Sequence, residues 1–175
     1  MATTTYYGFT VPTSSDLVRN GATAISTLGT NIDDFISGSS AAGKLFYLAA
    51  DSVNSTSRTT TSTTWVNTGT VHSVTFTPGK SQFFAVIWRA SMSNSATGNR
   101  MDCGINVTGG LTSAPSIYQC VQLEGTTRVA GTHVEFFDAG AASASPSTIT
   151  VTLQFQTTAG TLTCHDSSIQ VVCFG

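Results

Sequence analysis

The sequence predicts a mainly β protein: an antiparallel, jelly-roll-like β-sandwich preceded by an N-terminal arm and one short helix. Three observations predict it. Of 175 residues, 31 are Thr and 22 are Ser, and Thr, branched at Cβ, suits a pleated surface. Apolar and polar residues alternate through most of the chain after residue 45, the mark of half-buried strands. Turn signals interrupt these runs often enough for about eight strands.

The pieces follow in order. Residues 1–13 form an uncharged arm bearing Tyr6, Tyr7 and Phe9. Residues 14–38 have a helical period. Thr13 with Asp16 fits the capping-box pattern, and an acid in the first turn suits the helix dipole. Val18, Ile25 and Ile32 recur at heptad spacing, as do Gly21, Leu28 and Phe35, with Leu17 beside them. Gly21 and Gly29 each cost about 1 kcal/mol against Ala in a helix. A helix this weak needs a partner, either its own sandwich or copies of itself. The stripe is narrow and a flexible joint follows, which favours copies. Small residues from 39 to 44 form that linker.

Residues 45–175 supply the sandwich. Ile149-Thr150-Val151-Thr152-Leu153-Gln154-Phe155-Gln156 is apolar on one face only. Met101, Cys103, Ile105 and Val107 share a face opposite Asp102 and Asn106. Val74 and Phe76 share one with His72, and Ile117, Val121 and Leu123 share another. Phe83-Phe84-Ala85-Val86-Ile87-Trp88 is apolar on both faces, as in a central strand covered twice. Residues 45–50, 129–137 and 162–173 give further strands. Turns are expected at Pro78-Gly79, Thr97-Gly98-Asn99, Gly109-Gly110, Glu124-Gly125, Ser145-Pro146 and Ala159-Gly160.

Composition narrows the function. Only 9% of residues are charged and the net charge is −2, so the basic excess that nucleic-acid binding requires is missing. No apolar run approaches the ~20 residues of a membrane helix. Met1-Ala2-Thr3-Thr4-Thr5 lacks the basic and apolar regions of a signal peptide. Cys103, Cys120, Cys164 and Cys173 contain no CxxC pair and read first as small buried apolar residues, with disulfides the alternative. Cys164, His165 and Asp166 are adjacent, and alternation along a strand points neighbours to opposite faces, against one shared metal. His72, His133 and His165 form no HxH or HExxH motif. Glu124 and Glu135 are not paired across a recognisable cleft, and no nucleophile elbow or phosphate loop is present. The expectation is therefore a protein without catalytic residues, metal or cofactor. Aromatic residues among hydroxyls, Trp65 and Tyr118 with Tyr47 as a third, are candidates to stack on a sugar ring. For Trp65 a packing role is the competing reading.

Residues 7–29, Tyr7-Gly8-Phe9-Thr10-Val11-Pro12-Thr13-Ser14-Ser15-Asp16-Leu17-Val18-Arg19-Asn20-Gly21-Ala22 and onward to Gly29, resemble the N-terminal segment of minor tail proteins and fibers of phages infecting actinobacteria. Trp65-Val66-Asn67-Thr68-Gly69, leading to Val74-Thr75-Phe76-Thr77-Pro78, is similar to β-sandwich segments of phage virion proteins. The resemblance implies a virion component, often trimeric, attached to other virion proteins by its N-terminal part; a host-cell-surface glycan is a separate expected partner, from the aromatic residues above. It implies no catalytic residues. The heptad pattern, with Val/Ile at a and Leu at d, by itself leans to two strands, so the trimer is the family's implication. The anchoring or oligomerising residues are then Tyr6, Tyr7, Phe9, Leu17, Val18, Ile25, Leu28, Ile32 and Phe35.

Overall fold

Four strand pairs lie one inside the next, as in a long hairpin rolled around itself. The computed structural model describes residues 2–3, 10–11, 18–37, 46–68, 71–78, 82–140 and 147–174. Its strands are β1 (Ala2–Thr3), β2 (Thr10–Val11), β3 (Phe46–Asn54), β4 (Arg58–Thr60), β5 (Ser73–Phe76) and β6 (Phe83–Asn94). They continue as β7 (Arg100–Gly109), β8 (Val121–Glu124), β9 (Val129–Asp138), β10 (Ile149–Thr157) and β11 (Leu162–Phe174), and the helix α1 is Val18–Ser37. β7 pairs with β8, β6 with β9, β5 with β10 and β3 with β11, all antiparallel. Two further pairings, β10 with β7 and β11 with β6, gather these into sheets ordered β5-β10-β7-β8 and β3-β11-β6-β9, with short β4 also on β11. This nesting of first strand with last is the jelly-roll order.

Alternation places the core between the sheets. Ile149, Val151, Leu153 and Phe155 of β10 face inward beside Met101, Cys103, Ile105 and Val107 of β7, all buried. Phe84, Val86, Trp88, Ala90 and Met92 of β6 meet them from the other sheet. The Phe84 ring is edge-on to Phe76 at 5.0 Å and stacks on Phe137 at 5.1 Å. Trp88, fully buried, donates from Nε1 to the carbonyl of Cys103 at 3.0 Å, a hydrogen bond that ties one sheet to the other. Gly131 on β9 lets β8 come close: a Cβ there would stand 2.6 Å from Val121 Cγ1. Gly160, at φ 71°, turns the chain from β10 into β11.

β11 is irregular in a way that serves the core. Cys164 pairs with Met92 and Asp166 with Ser91, leaving His165 as the extra residue of a bulge. One extra residue reverses the alternation. Leu162 and Cys164 before it, and Ile169, Val171 and Cys173 after it, are consequently all buried.

The structure also modifies several expectations. Helix α1 begins at Val18 and has no acidic residue in its first described turn. Thr13, Asp16, Tyr6, Tyr7, Phe9 and Leu17 lie outside the described residues, as does the linker 39–44. Part of the arm is paired, β1 with β2. Ile117 does not share a strand face with Val121 and Leu123: β8 starts at Val121, and Ile117 is on the preceding loop, 37% exposed. β6 is central in its sheet, but among the described residues its second face is not covered, and Phe83 is 50% exposed. The four cysteines are buried, and no disulfide joins them in this structure.

Replacing Trp88 by Ala removes the largest fully buried side chain and its hydrogen bond to the Cys103 carbonyl. Urea unfolding of Trp88→Ala is expected to show a loss of about 3–5 kcal/mol.

Candidate functional site

The outer face of β5-β10-β7-β8 is built from the polar half of each alternating strand. Across it, Thr75 faces Thr150, Thr150 faces Thr108, Thr152 faces Asn106, Gln154 faces Gly104, and Gln156 faces Asp102. Cross-strand hydroxyls bond one another, Thr75 to Thr150 at 3.0 Å. Gln154 donates to Asn67 at 3.2 Å.

Trp65 lies across this face at its one gap. Val66 exchanges backbone hydrogen bonds with Phe155, which sets residue 65 beside β10. A Cβ on Gly104 would stand 3.0 and 3.1 Å from two carbons of the Trp65 ring and 2.9 Å from Pro115 Cβ. Glycine at 104 is thus what allows the indole and the 111–120 loop onto the sheet. Trp65 is half-buried, close to both the sheet at Gly104 and the loop. Tyr118, on the same loop, is 88% exposed. Tyr47 is on β3, in the other sheet.

A carboxylate is buried beside this aromatic region. Asp102 is 1% exposed, with Arg100 Nε 2.9 Å from Oδ1 and Gln156 Nε2 donating to Oδ2 at 2.9 Å. The thiol of Cys120 is pushed up to about 11 by burial and then by the Asp102 charge. Burial likewise pushes the Cys103 and Cys164 thiols up. These thiols stay protonated at neutral pH and lack the thiolate that nucleophilic chemistry uses.

A second polar cluster sits inside, and sequence reasoning missed it. Arg58 on β4, 5% exposed, reaches Ser167 of β11 with Nη2, and its guanidinium lies 5.2 Å from the centre of the Phe155 ring. His72 Nδ1 is 2.7 Å from the same Ser167 hydroxyl, and its Nε2 is 3.2 Å from Ser52 Oγ. Arginine can only donate, so the Ser167 hydroxyl accepts from Arg58. The ring tautomer sets the direction of the two His72 contacts. Burial, and then the Arg58 charge, hold His72 below its ordinary value. The Ser–His contact has the spacing of a catalytic pair, but both side chains are buried, at 1% and 3% exposure. The cluster joins β3, β4 and β11 to the segment before β5. The sequence signal was present in retrospect: His72 continues the inward alternation of Val74 and Phe76.

His133 and Glu135 share the inward side of edge strand β9, opposite Trp88 and Val86, with the His133 ring 4.7 Å from that of Trp88. Burial raises the Glu135 carboxyl. At the far surface, Asp166 takes Arg89 at 2.7 Å and also Arg128. His165 pairs with Ser93 at 2.9 Å rather than with Cys164. Among the described residues no group of His, Cys, Asp and Glu is arranged to hold a metal. No described helix is long and apolar enough to cross a membrane.

On the expected oligomerising stripe, Ile25 is 64% and Ile32 39% exposed, and Leu28 is half-buried. The side chains of Val18 and Phe35 lie outside the described residues. The structure brings Trp65 to the polar sheet face and puts Tyr118 on the loop against it; Ile25 and Ile32 belong to a separate element.

Gly104→Ala is expected to displace the indole, with a loss of about 1–3 kcal/mol and a red shift in tryptophan fluorescence. His72 gives a pH test. Its folded value is depressed, so its contribution to stability is full above about pH 6.5 and is lost as pH falls through the folded value. Between about pH 7.5 and 5.5 the melting temperature is expected to fall more for the native chain than for His72→Gln.

No family model matches the sequence, and no curated protein matches it. Among solved structures the chain is similar to the VP2 subviral particle of infectious bursal disease virus, at 11% identity over 74% of this chain and 32% of that one, with TM-score 0.49. The chain spans about a third of the length of the capsid chains it matches. It is also similar to a carbohydrate binding module of Cellvibrio mixtus lichenase 5A in complex with cellotriose, at 9% identity over 70% of this chain and 97% of that one, with TM-score 0.35. A third similarity is to the C-terminal domain of EclA, a sugar-binding protein, at 12% identity over 73% of this chain and 85% of that one, with TM-score 0.33.

Proposed function

We propose that this chain is a structural protein of a phage virion, a minor tail or short fiber-like surface component. Its N-terminal arm and α1 attach it to the particle and gather copies, and its jelly roll is displayed outward. The observation that carries this reading is the division of labour in the chain. The hydrophobic core draws on no described residue of α1, while Ile25 and Ile32 of that helix stay exposed. A weak helix whose described residues stay outside the core is stabilised by a partner. The resemblance of residues 7–29 to phage tail and fiber proteins names the kind of partner, other virion proteins, and implies a trimer. Under this reading the protein works without catalysis or cofactor, and its place is the virion. A capsid decoration or head fiber position is the alternative location.

A second role, binding a host-surface glycan, is favoured by one observation. The outer face of β5-β10-β7-β8 is lined with hydroxyls and amides, and the adjoining loop holds Tyr118 88% exposed, which is the pairing of polar groups and a free aromatic face that sugars use.

Particles assembled with a chain that starts at residue 39 are expected to lose the protein on washing, as read by mass spectrometry of purified virions. Retention would refute attachment through the N-terminal part. Virions carrying Tyr118→Ala are expected to adsorb to host cells about tenfold less, the loss of roughly 1.4 kcal/mol of stacking; unchanged adsorption and a silent glycan array would remove the second role.

A further inference from the structure

The polar cluster around His72 sits at a seam in the sheet. β3 and β4 run in series along one side of β11. Asn54, the last residue of β3, stands opposite Ser167, and Arg58, the first of β4, stands opposite Cys164. The His165 bulge lies between those two points. Among the described residues β11 is the only strand with which either β3 or β4 pairs. His72 reaches this seam from the segment before β5, with Nδ1 2.7 Å from Ser167 Oγ and Nε2 3.2 Å from Ser52 Oγ of β3. Arg58 Nη2 holds the same Ser167 oxygen at 2.5 Å. Two nitrogens at 2.5 and 2.7 Å from one oxygen are at most about 5.2 Å apart.

The elements around the ring bring no carboxylate to it. On β3, Asp51 is exposed, while its neighbour Ser52 turns toward His72. On β11, Asp166 is taken by Arg89 and Arg128. The Cys164 thiol meets Arg58 Nη2 at 3.6 Å, and burial keeps it protonated. On β7, Asp102 and Arg100 pair with each other. Residues 59–71, β5 and β10 hold no titratable side chain. A proton on His72 therefore sets a second cation within about 5 Å of the guanidinium in a buried site. It also breaks a hydrogen bond. In the neutral ring one nitrogen accepts a serine proton and the other donates. The imidazolium only donates, so one serine hydroxyl loses its acceptor.

We propose that His72 is a proton-operated latch on the β3–β4 edge: its protonation frees this edge from β11 and leaves the rest of the jelly roll closed. The edge gives way because each of its strands has one hydrogen-bonded neighbour, whereas β11 and β6 are held on both sides. Opening separates Ser52 and Arg58 from Ser167 and returns water to both cations. In the open edge the histidine has its ordinary value, near 6.5. In the closed one, burial and then the Arg58 charge hold it lower. The open form thus takes up the proton more readily, and opening increases as pH falls below about 6.5. One proton shifts the opening equilibrium by at most about tenfold per pH unit. β3 is the strand of the sandwich that follows α1 in sequence, so the edge released is the one leading to the N-terminal part. The latch is independent of the virion assignment.

Hydrogen–deuterium exchange of the full chain at pH 7.5 and 5.5, corrected for the intrinsic pH dependence of exchange, tests it. Peptides from residues 46–60 are expected to exchange faster at pH 5.5, by up to about tenfold. Peptides from β6, β7 and β10 should keep their protection. In His72→Gln the response of residues 46–60 should vanish, while His133→Gln and His165→Gln should retain it. Arg58→Met, which removes the neighbouring charge, should shrink it. Far-UV circular dichroism at pH 7.5 shows which variants are folded. Should His72→Gln fail to fold, NMR of the histidines in the native chain takes its place, with the His72 midpoint expected below 6.5 and the β3 amides following it. Unchanged exchange at residues 46–60, an equal rise in every strand, or a response that survives His72→Gln would overturn the latch. So would a His72 midpoint at or above 6.5.

Discussion

The rest of the fold depends on the insertion of β11 between β3 and β6. This last strand hydrogen bonds to the first strand of the sandwich on one side and to its longest partner on the other. Without it, β3 and β4 have no sheet to join. The pairing is also the least local in the molecule, linking residues 46–54 and 83–94 to 162–174. Loop-closure entropy must be met before those bonds form, so folding of the sandwich waits on the C-terminal strand. The His165 bulge follows from the same role. β11 has to keep its apolar residues inward along 13 residues, and one extra residue resets the alternation where the sequence changes phase.

Two polar contacts tie the sheets together at different places. The Trp88 hydrogen bond to Cys103 is neutral and central. The Arg58–Ser167–His72–Ser52 chain is more demanding, because it buries a guanidinium that, among the described residues, has no carboxylate partner. Such a charge is tolerated when its surroundings supply acceptors and a π face. Ser167 and Phe155 do so here, and a neutral His72 avoids a second positive charge beside it. The network is not fully satisfied, since Arg58 Nε is buried with no hydrogen-bond partner among the described residues.

With the core closed between the sheets, what the molecule can meet is decided by the outer faces. They differ in kind. One is a carpet of Thr, Asn and Gln against which Trp65 packs, with exposed Tyr118 on the adjoining loop. The other mixes exposed apolar residues, Leu48, Val134 and Phe136, with charged ones, Asp51, Arg89 and Asp138. A chain with so few charges has little long-range steering, so its contacts rest on shape and surface chemistry at close range. Ile25 and Ile32 of the helix are exposed as well, and no described residue of the helix belongs to the core.

The sequence by itself determined the class and most of the strands, because period-two alternation and turn residues act over a few neighbours. Ile149 to Phe155, Met101 to Val107 and the glycine turns are legible for that reason. It also determined that His72 faces inward, since it keeps step with Val74 and Phe76. What lies across the fold was not legible. Arg58 read as the start of a Thr/Ser tract, and only the pairing of β4 with β11 places it against Ser167. Trp65 could be free or packed, and Gly104, nearly forty residues on, decides that it packs. The two-faced apolar run of β6 read as a strand covered twice. Register alone shows that Leu48, Val172, Ala85 and Phe136 share one row, exposed at its two ends. Local patterns record which way a side chain points; only the tertiary pairing of distant strands decides what it meets there, because that depends on register between segments whose spacing in sequence carries no signal.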